Sequence, residues 1–157
     1  MYKTLKVRID ADAQIKSFLL QYEMVYHRAL NHYVNVMIKR KKIVKYFMHS
    51  LMHPIAKHSR YLLYREAIRR YAYYEKHGTW QFVKSSIWAS GDIYAEERKL
   101  ILSFPDIFPF QTMMLPIACE KEEWAKFDGN RIVKMDISHD ESYWFCNILY
   151  EEACSDG

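Results

Sequence analysis

The chain has 157 residues, 50% of them hydrophobic and 16% aromatic, and a formal net charge of +4. That size and apolar content support a substantial core, and the four glycines and four prolines exclude a disordered or collagenous chain. The charge is split: residues 1–78 hold sixteen Lys/Arg against five Asp/Glu, whereas residues 79–157 hold seven against fourteen. Six of the seven histidines and ten of the thirteen tyrosines also fall in the first half. Cations interleaved with rings suit a phosphate backbone and unstacked bases, because cations release condensed counterions and rings offer stacking faces.

Tyr2 to Ile9 alternates, with Leu5, Val7 and Ile9 on one side and Lys6 and Arg8 on the other, as expected of a half-buried strand with a basic outer face. Asp10 or Asp12 is placed to cap the following helix. Apolar positions then recur every three or four residues from Ile15 through Leu19, Tyr22, Tyr26, Leu30, Tyr33 and Met37, which predicts a long amphipathic helix. It ends in the basic run Lys39-Arg40-Lys41-Lys42. A second helical stretch is expected from Ile43 to His53, stopped by Pro54, and a third from Ser59 to Lys76, stopped by Gly78. Leu62, Tyr64, Ile68, Tyr71 and Ala72 form its expected apolar side.

After Gly78 the period changes. Trp80 to Trp88 is mixed and aromatic, Asp92 to Ser103 holds one or two strands, and Phe104-Pro105-Asp106 reads as a turn. Thr112 to Ile117 is a short strand, and Glu120, Glu122 and Glu123 mark an acidic edge. Asp128-Gly129-Asn130 is a turn signal before two alternating strands, Arg131 to Ser138 and Tyr143 to Tyr150. The expected class is α+β, with the N-terminal strand joining the C-terminal sheet. Helices from 11–78 are then an insertion into a small β-barrel-like lobe of residues 1–10 and 79–157.

The residues with a chemical role to weigh are mostly cations. Lys39, Arg40, Lys41, Lys42 and Lys45 form one set, and Lys57, Arg60, Arg65, Arg69, Arg70 and Lys76 recur on the neighbouring helix. Lys6, Arg8 and Arg28 form a further set. Each has a plain alternative as a solvated face, since cations also favour helix C-termini. Trp80 and Trp88 offer stacking faces at the junction of the halves, or hinge packing. The stripe Tyr22, Tyr26 and Tyr33 reads better as core than as a platform. His49 and His53 stand four apart but lack the Glu of an HExxH zinc helix and any third ligand, so no metal or cofactor is expected. Cys119, Cys146 and Cys154 form no CxxC pair and read as free thiols of a reducing compartment. No spacing of carboxylates specifies two-metal catalysis, and no enzymatic activity is expected of the chain alone. Met1 leads directly into a charged segment and no apolar run approaches the roughly 20 residues of a membrane span, so the expected address is cytoplasmic, without a membrane partner.

The opening YKTLKVRI, the stretch VYHRAL at Val25 to Leu30, and HSRYLLYREAIRRYAYYEK resemble the N-terminal part of TnpB proteins. These are transposon-encoded, RNA-guided nucleases related to type V CRISPR effectors. VYHRAL is similar to a family pattern RxVYNxAL in which Asn is replaced here by His27. KLILSF, MMLPI and RIVKMDISHDESYWFCNILYEE resemble the wedge strands and their closing hairpin. The resemblance covers residues 2–152 and implies a wedge lobe with an inserted recognition lobe. It places guide-RNA scaffold near Lys6, Arg8 and Arg28, with target DNA as a further ligand. The family's RuvC nuclease domain follows that hairpin, and this chain stops at Gly157. It is therefore expected as a short protein, as one half of a split effector served by a separate RuvC-type nuclease subunit, or as a piece cut at the boundary.

The function expected from residues and resemblance together is a nucleic-acid-binding module of an RNA-guided system, transposon-associated or serving antiviral defence. The alternative is a protein–protein interaction module or inhibitor of such a nuclease, its acidic half imitating a phosphate surface. A DNA-binding regulator is disfavoured, because no compact helix-turn-helix with a Gly turn occurs in 11–78.

Overall fold

The computed structural model describes residues 1–79, 86–89, 93–104, 112–127 and 131–152. Strand β1 (Tyr2–Ile9) leads into helix α1 (Ala13–Arg40), an irregular strap with two 3-10 turns (Ser50–Met52 and Lys57–Ser59), and helix α2 (Arg60–His77). Strands β2 (Ile87–Ala89), β3 (Ile93–Glu96), β4 (Lys99–Ser103) and β5 (Thr112–Ala118) follow. Helix α3 (Lys121–Phe127) and strands β6 (Arg131–His139) and β7 (Trp144–Glu151) complete the described elements. The chain is mixed α and β, as expected.

The strands form one antiparallel, curled sheet in the order β2-β6-β7-β1-β5-β4-β3. β1 therefore does join the C-terminal strands, pairing β7 along its whole length and β5 at Arg8 and Ile9. The curl brings β3 against β6, so the sheet is a half-barrel. Its inward face is apolar through Val7, Ile9, Met135, Ile137, Cys146 and Ile148, all buried in one core with the helices.

Asp12 caps α1: its carboxylate accepts from the Ile15 amide at 2.8 Å. The face expected to be apolar is buried, including Leu19, Tyr22, Tyr26, Leu30, Tyr33 and Met37. α1 meets the inward face where Phe18 and Tyr22 pack edge-on against Phe104, each at 4.9 Å between centroids. Glu23 reaches His139 of β6 at 3.0 Å. Gly78 ends α2 in the left-handed conformation, its amide bonded to the Tyr74 carbonyl at 2.7 Å. Ala72, expected on the apolar side of α2, is exposed; Leu63 and Ala67 are buried instead.

The helix expected over Ile43 to His53 does not form. The segment runs instead as a strap antiparallel to α1: Phe47 lies 4.8 Å from the Tyr33 ring, His49 3.9 Å from His32, and the Ala56 amide donates to Tyr22 Oη at 3.3 Å. Side chains replace the missing ladder. Tyr33 Oη donates to the Phe47 carbonyl, and Tyr64 Oη to the Val44 carbonyl at 2.6 Å. The Arg60 guanidinium donates to the carbonyls of Ile55 and His53 at 2.9 and 3.3 Å. The acidic edge at Glu120 to Glu123 is likewise corrected, since most of it starts α3, where carboxylates favour a helix N-terminus. β2 lies within a stretch for which no strand was expected.

Tyr64→Phe leaves the Val44 carbonyl without its donor and should lower stability by about 1–3 kcal/mol. Tyr26→Phe should be neutral or stabilising, because among the described residues the buried Tyr26 hydroxyl has no hydrogen bond of good geometry, only the nearby Trp88 backbone. Urea denaturation of both variants checks the contrast; an equal loss would show that the hydroxyls do not secure the strap.

Candidate nucleic-acid interface

The solvent face of α2 carries Tyr61, Arg65, Arg69 and Tyr73 at intervals of four residues, all exposed, with Lys76 following. Over twelve residues of helical rise that stripe is roughly 18 Å long. Arg69 and Arg70 both pair with Glu66, at 2.8 and 3.1 Å, yet the Arg69 side chain stays 62% exposed. One carboxylate for two guanidiniums leaves a positive balance, although Glu66 itself is only 13% exposed.

The basic end of α1 adjoins this stripe. Tyr64 stands between the two, its ring 5.6 Å from Tyr46 and 6.0 Å from Tyr61, with its hydroxyl on Val44. Lys39, Arg40, Lys41, Lys42 and Lys45 are exposed around that junction. Lys41 closes α1 in the left-handed conformation at φ 58°, where the Lys42 amide returns to the Met37 carbonyl at 3.2 Å. Glycine is the usual residue there, since a Cβ costs roughly 1–2 kcal/mol. The positive charge of a lysine there also suits the partial negative charge of a helix C-terminus.

The remaining expected residues divide. Lys57 is exposed on the second 3-10 turn. Arg60 is committed to the strap carbonyls and serves the fold. Arg28 is exposed beside Met24, His27 and Asn31 on α1. Trp80 lies outside the described residues. Tyr22, Tyr26 and Tyr33 are core, as expected.

Lys6, Arg8 and Trp88 lie on a second surface, the outward face of the sheet. Register places Trp88 opposite Asp136, Asp136 opposite Asn147, and Asn147 opposite Lys6. Lys6 sits over the Phe145 ring at 5.1 Å, Arg8 over Tyr143 at 4.9 Å, and Lys134 over Trp88 at 5.1 Å. Tyr143 is fixed by the hairpin loop, where Asp140 Oδ1 accepts from the amides of Tyr143 and Ser142 at 2.7 Å each. Those amides hold the Asp140 carboxyl below the usual range. Burial pushes Asp136 up, opposed by the amide that Asn147 donates at 3.2 Å and by Lys6 and Lys134.

Tyr61, Tyr73, Lys134, Tyr143 and Phe145 were missed as interface residues in the sequence. For α2 the signal was the complement of its apolar stripe. For the sheet it was strand register, which one sequence does not specify.

His49 and His53 are not on one helix. His49 Nδ1 accepts from the Leu51 amide at 3.1 Å and its ring stacks on His32. Among the described residues no group of three His, Cys, Asp or Glu is placed to hold a metal ion. Cys119 and Cys146 are free thiols, both pushed up by burial, while Cys154 lies outside the described residues. No described helix is long and apolar enough to cross a membrane.

No protein-family model matches the chain, and no curated protein matches it significantly.

Burial, then the neighbouring His49, holds His32 below the ordinary imidazole value of 6.5. The unfolded chain therefore takes up this proton at higher pH than the folded one. The contribution of His32 is complete above about 6.5 and is lost as pH falls from there through the lower folded value. Denaturation midpoints measured from neutral pH downward should show the decline, and His32→Gln should flatten it. An unchanged profile in that variant would assign the acid sensitivity elsewhere.

Proposed function

We infer that the chain is a nucleic-acid-binding module, non-catalytic by itself, that grips the backbone of a structured RNA along α2 and the basic end of α1. The observation that carries this reading is the set of exposed residues that meet around the buried Tyr64: Lys45 and Tyr46 from the strap, Lys41 and Lys42 at the end of α1, and Tyr61, Arg65, Arg69 and Tyr73 along α2. Its cations neutralise phosphates, which fixes position, while its two outer tyrosines offer ring faces for unpaired bases at the flanks.

The order of elements supports placing the module in a TnpB-like, RNA-guided system. An N-terminal strand sits inside the sheet between β5 and β7, the helices are inserted after it, and a β6–β7 hairpin closes the described chain. On this reading the ligands are a guide-RNA scaffold and a flanking target duplex. The partner is a nuclease subunit that supplies the metal-binding carboxylates.

Log affinity for a hairpin RNA should fall linearly with log salt. Replacing Arg65 or Lys42 by Gln should weaken binding and reduce that slope by about 1 for each contact removed. Lys41→Gly should divide the two roles of its position: thermal stability rises by up to about 1–2 kcal/mol as strain is relieved, and RNA affinity falls. A salt-independent affinity, or RNA binding indifferent to all three changes, would remove this reading and favour an interaction module that binds protein.

A further inference from the structure

The outward face of β2, β6, β7 and β1 is the strongest surface left unused by the helices. Three rings lie on this face, Trp88 of β2, Phe145 of β7 and Tyr143 of the hairpin loop before it, and each has a cation above it. Tyr143 and Phe145 lie 6.4 Å apart between centroids. Trp88 lies two strands away from β7, roughly 10 Å across the sheet. A sheet face of this width with rings at this spacing accommodates two or three unstacked bases.

We propose that this face binds a single-stranded nucleic acid, its unpaired bases stacking on Trp88, Phe145 and Tyr143 while Lys134, Lys6 and Arg8 take the phosphates between them. The proposal deepens the nucleic-acid reading and rests on it, naming a second ligand element, an unpaired strand, beside the structured RNA held by the helices.

Two magnitudes decide between this arrangement and an ordinary surface of cation–π pairs. An exposed cation–π contact contributes about 0.5–1 kcal/mol, whereas a base stacked on an aromatic side chain contributes about 1–3 kcal/mol. A base therefore displaces the cation from the ring, and the released cation gains a charge-assisted contact with the adjoining phosphate. Lys6 and Lys134 flank one carboxylate, Asp136, which is bonded to Asn147, while Arg8 shares a shallow hollow with Glu120 and Glu123, so the cationic part of the face is centred on Lys6 and Lys134. The Asp136 carboxylate also gives the platform an acceptor for a base N–H, such as the N3–H of uracil or thymine.

The test is a fluorescence-anisotropy titration of the full chain with a short labelled oligouridylate, the matching oligothymidylate and a blunt RNA hairpin. Trp88→Ala and Tyr143→Ala should each weaken single-strand binding by about 5- to 100-fold and leave hairpin affinity unchanged. Tyr143 is 50% exposed, so its truncation spares the core, and Tyr143→Phe, which keeps the ring, should restore the affinity. A preference for uridylate or thymidylate identifies the strand and supports the platform in either case. Single-strand affinity that is equal in wild type and both alanine variants overturns the platform, and hairpin binding intact in the same series leaves the helix-borne function standing. Binding of neither oligonucleotide nor hairpin removes both.

Discussion

The connection between α1 and α2 has few backbone hydrogen bonds of its own beyond those of its two 3-10 turns, and the exposed surface depends on what supplements them. An unpaired buried carbonyl or amide costs about 1–3 kcal/mol, so an irregular segment can lie along a helix only where partners are supplied. Tyr33 and Tyr64 hydroxyls donate to the carbonyls of Phe47 and Val44, Tyr22 accepts from Ala56, and Arg60 serves two further carbonyls. These anchors place Val44 on Tyr64 and therefore set Lys45 and Tyr46 beside the first turn of α2. α1 and α2 also pack directly on each other, Tyr33 lying 5.9 Å from Tyr64, and the anchors add the strap cation Lys45 to the neighbourhood of the α2 stripe.

Features with strong local causes were legible in the sequence. The three-to-four spacing from Ile15 to Met37 specified α1, and Asp12 as a start signal and Gly78 as a stop signal acted through their ordinary cap chemistry. Alternation specified β1, β6 and β7, and the single N-terminal strand required partners, which it found in β5 and β7. The misread features have tertiary causes. Ile43 to His53 has helix-compatible residues, but tyrosines from two helices capture its carbonyls, and local pattern contains no trace of that capture. α3 was hidden because carboxylates at a helix start look the same as carboxylates on a solvated edge. The sheet platform was half legible: Lys6, Arg8 and Trp88 were expected, but only the β1–β7 and β6–β2 registers set Phe145, Tyr143 and Lys134 among them.

The uneven charge of the chain survives folding in altered form. Part of the acidic half is spent on cations at sheet ends, with Glu152 on Lys3 at 2.9 Å and Glu151 near Arg131 at 3.6 Å. Within the basic half Glu66 is shared by Arg69 and Arg70, and Arg60 turns inward to carbonyls. The basic end of α1, Lys45, Arg65 and Lys76 remain exposed. The field that a polyanion would meet is therefore narrower than the count of sixteen cations suggests, and it is concentrated beside Tyr46, Tyr61 and Tyr73.

The helices pack against the inward face of the half-barrel while Trp88, Phe145 and Tyr143 look outward, so the two surfaces stand on opposite sides of the sheet. A single rigid duplex cannot lie on both. A nucleic acid that engages both must change direction at a sheet edge, and β2 is the edge that offers the passage. Among the described strands it pairs only with β6; it touches α2 and carries Trp88 on its outward face. An A-form stem resists a bend that sharp, whereas an unpaired strand turns freely there. On the nucleic-acid reading proposed above, a ligand that used both surfaces would combine a stem on the helices with a single-stranded extension on the sheet.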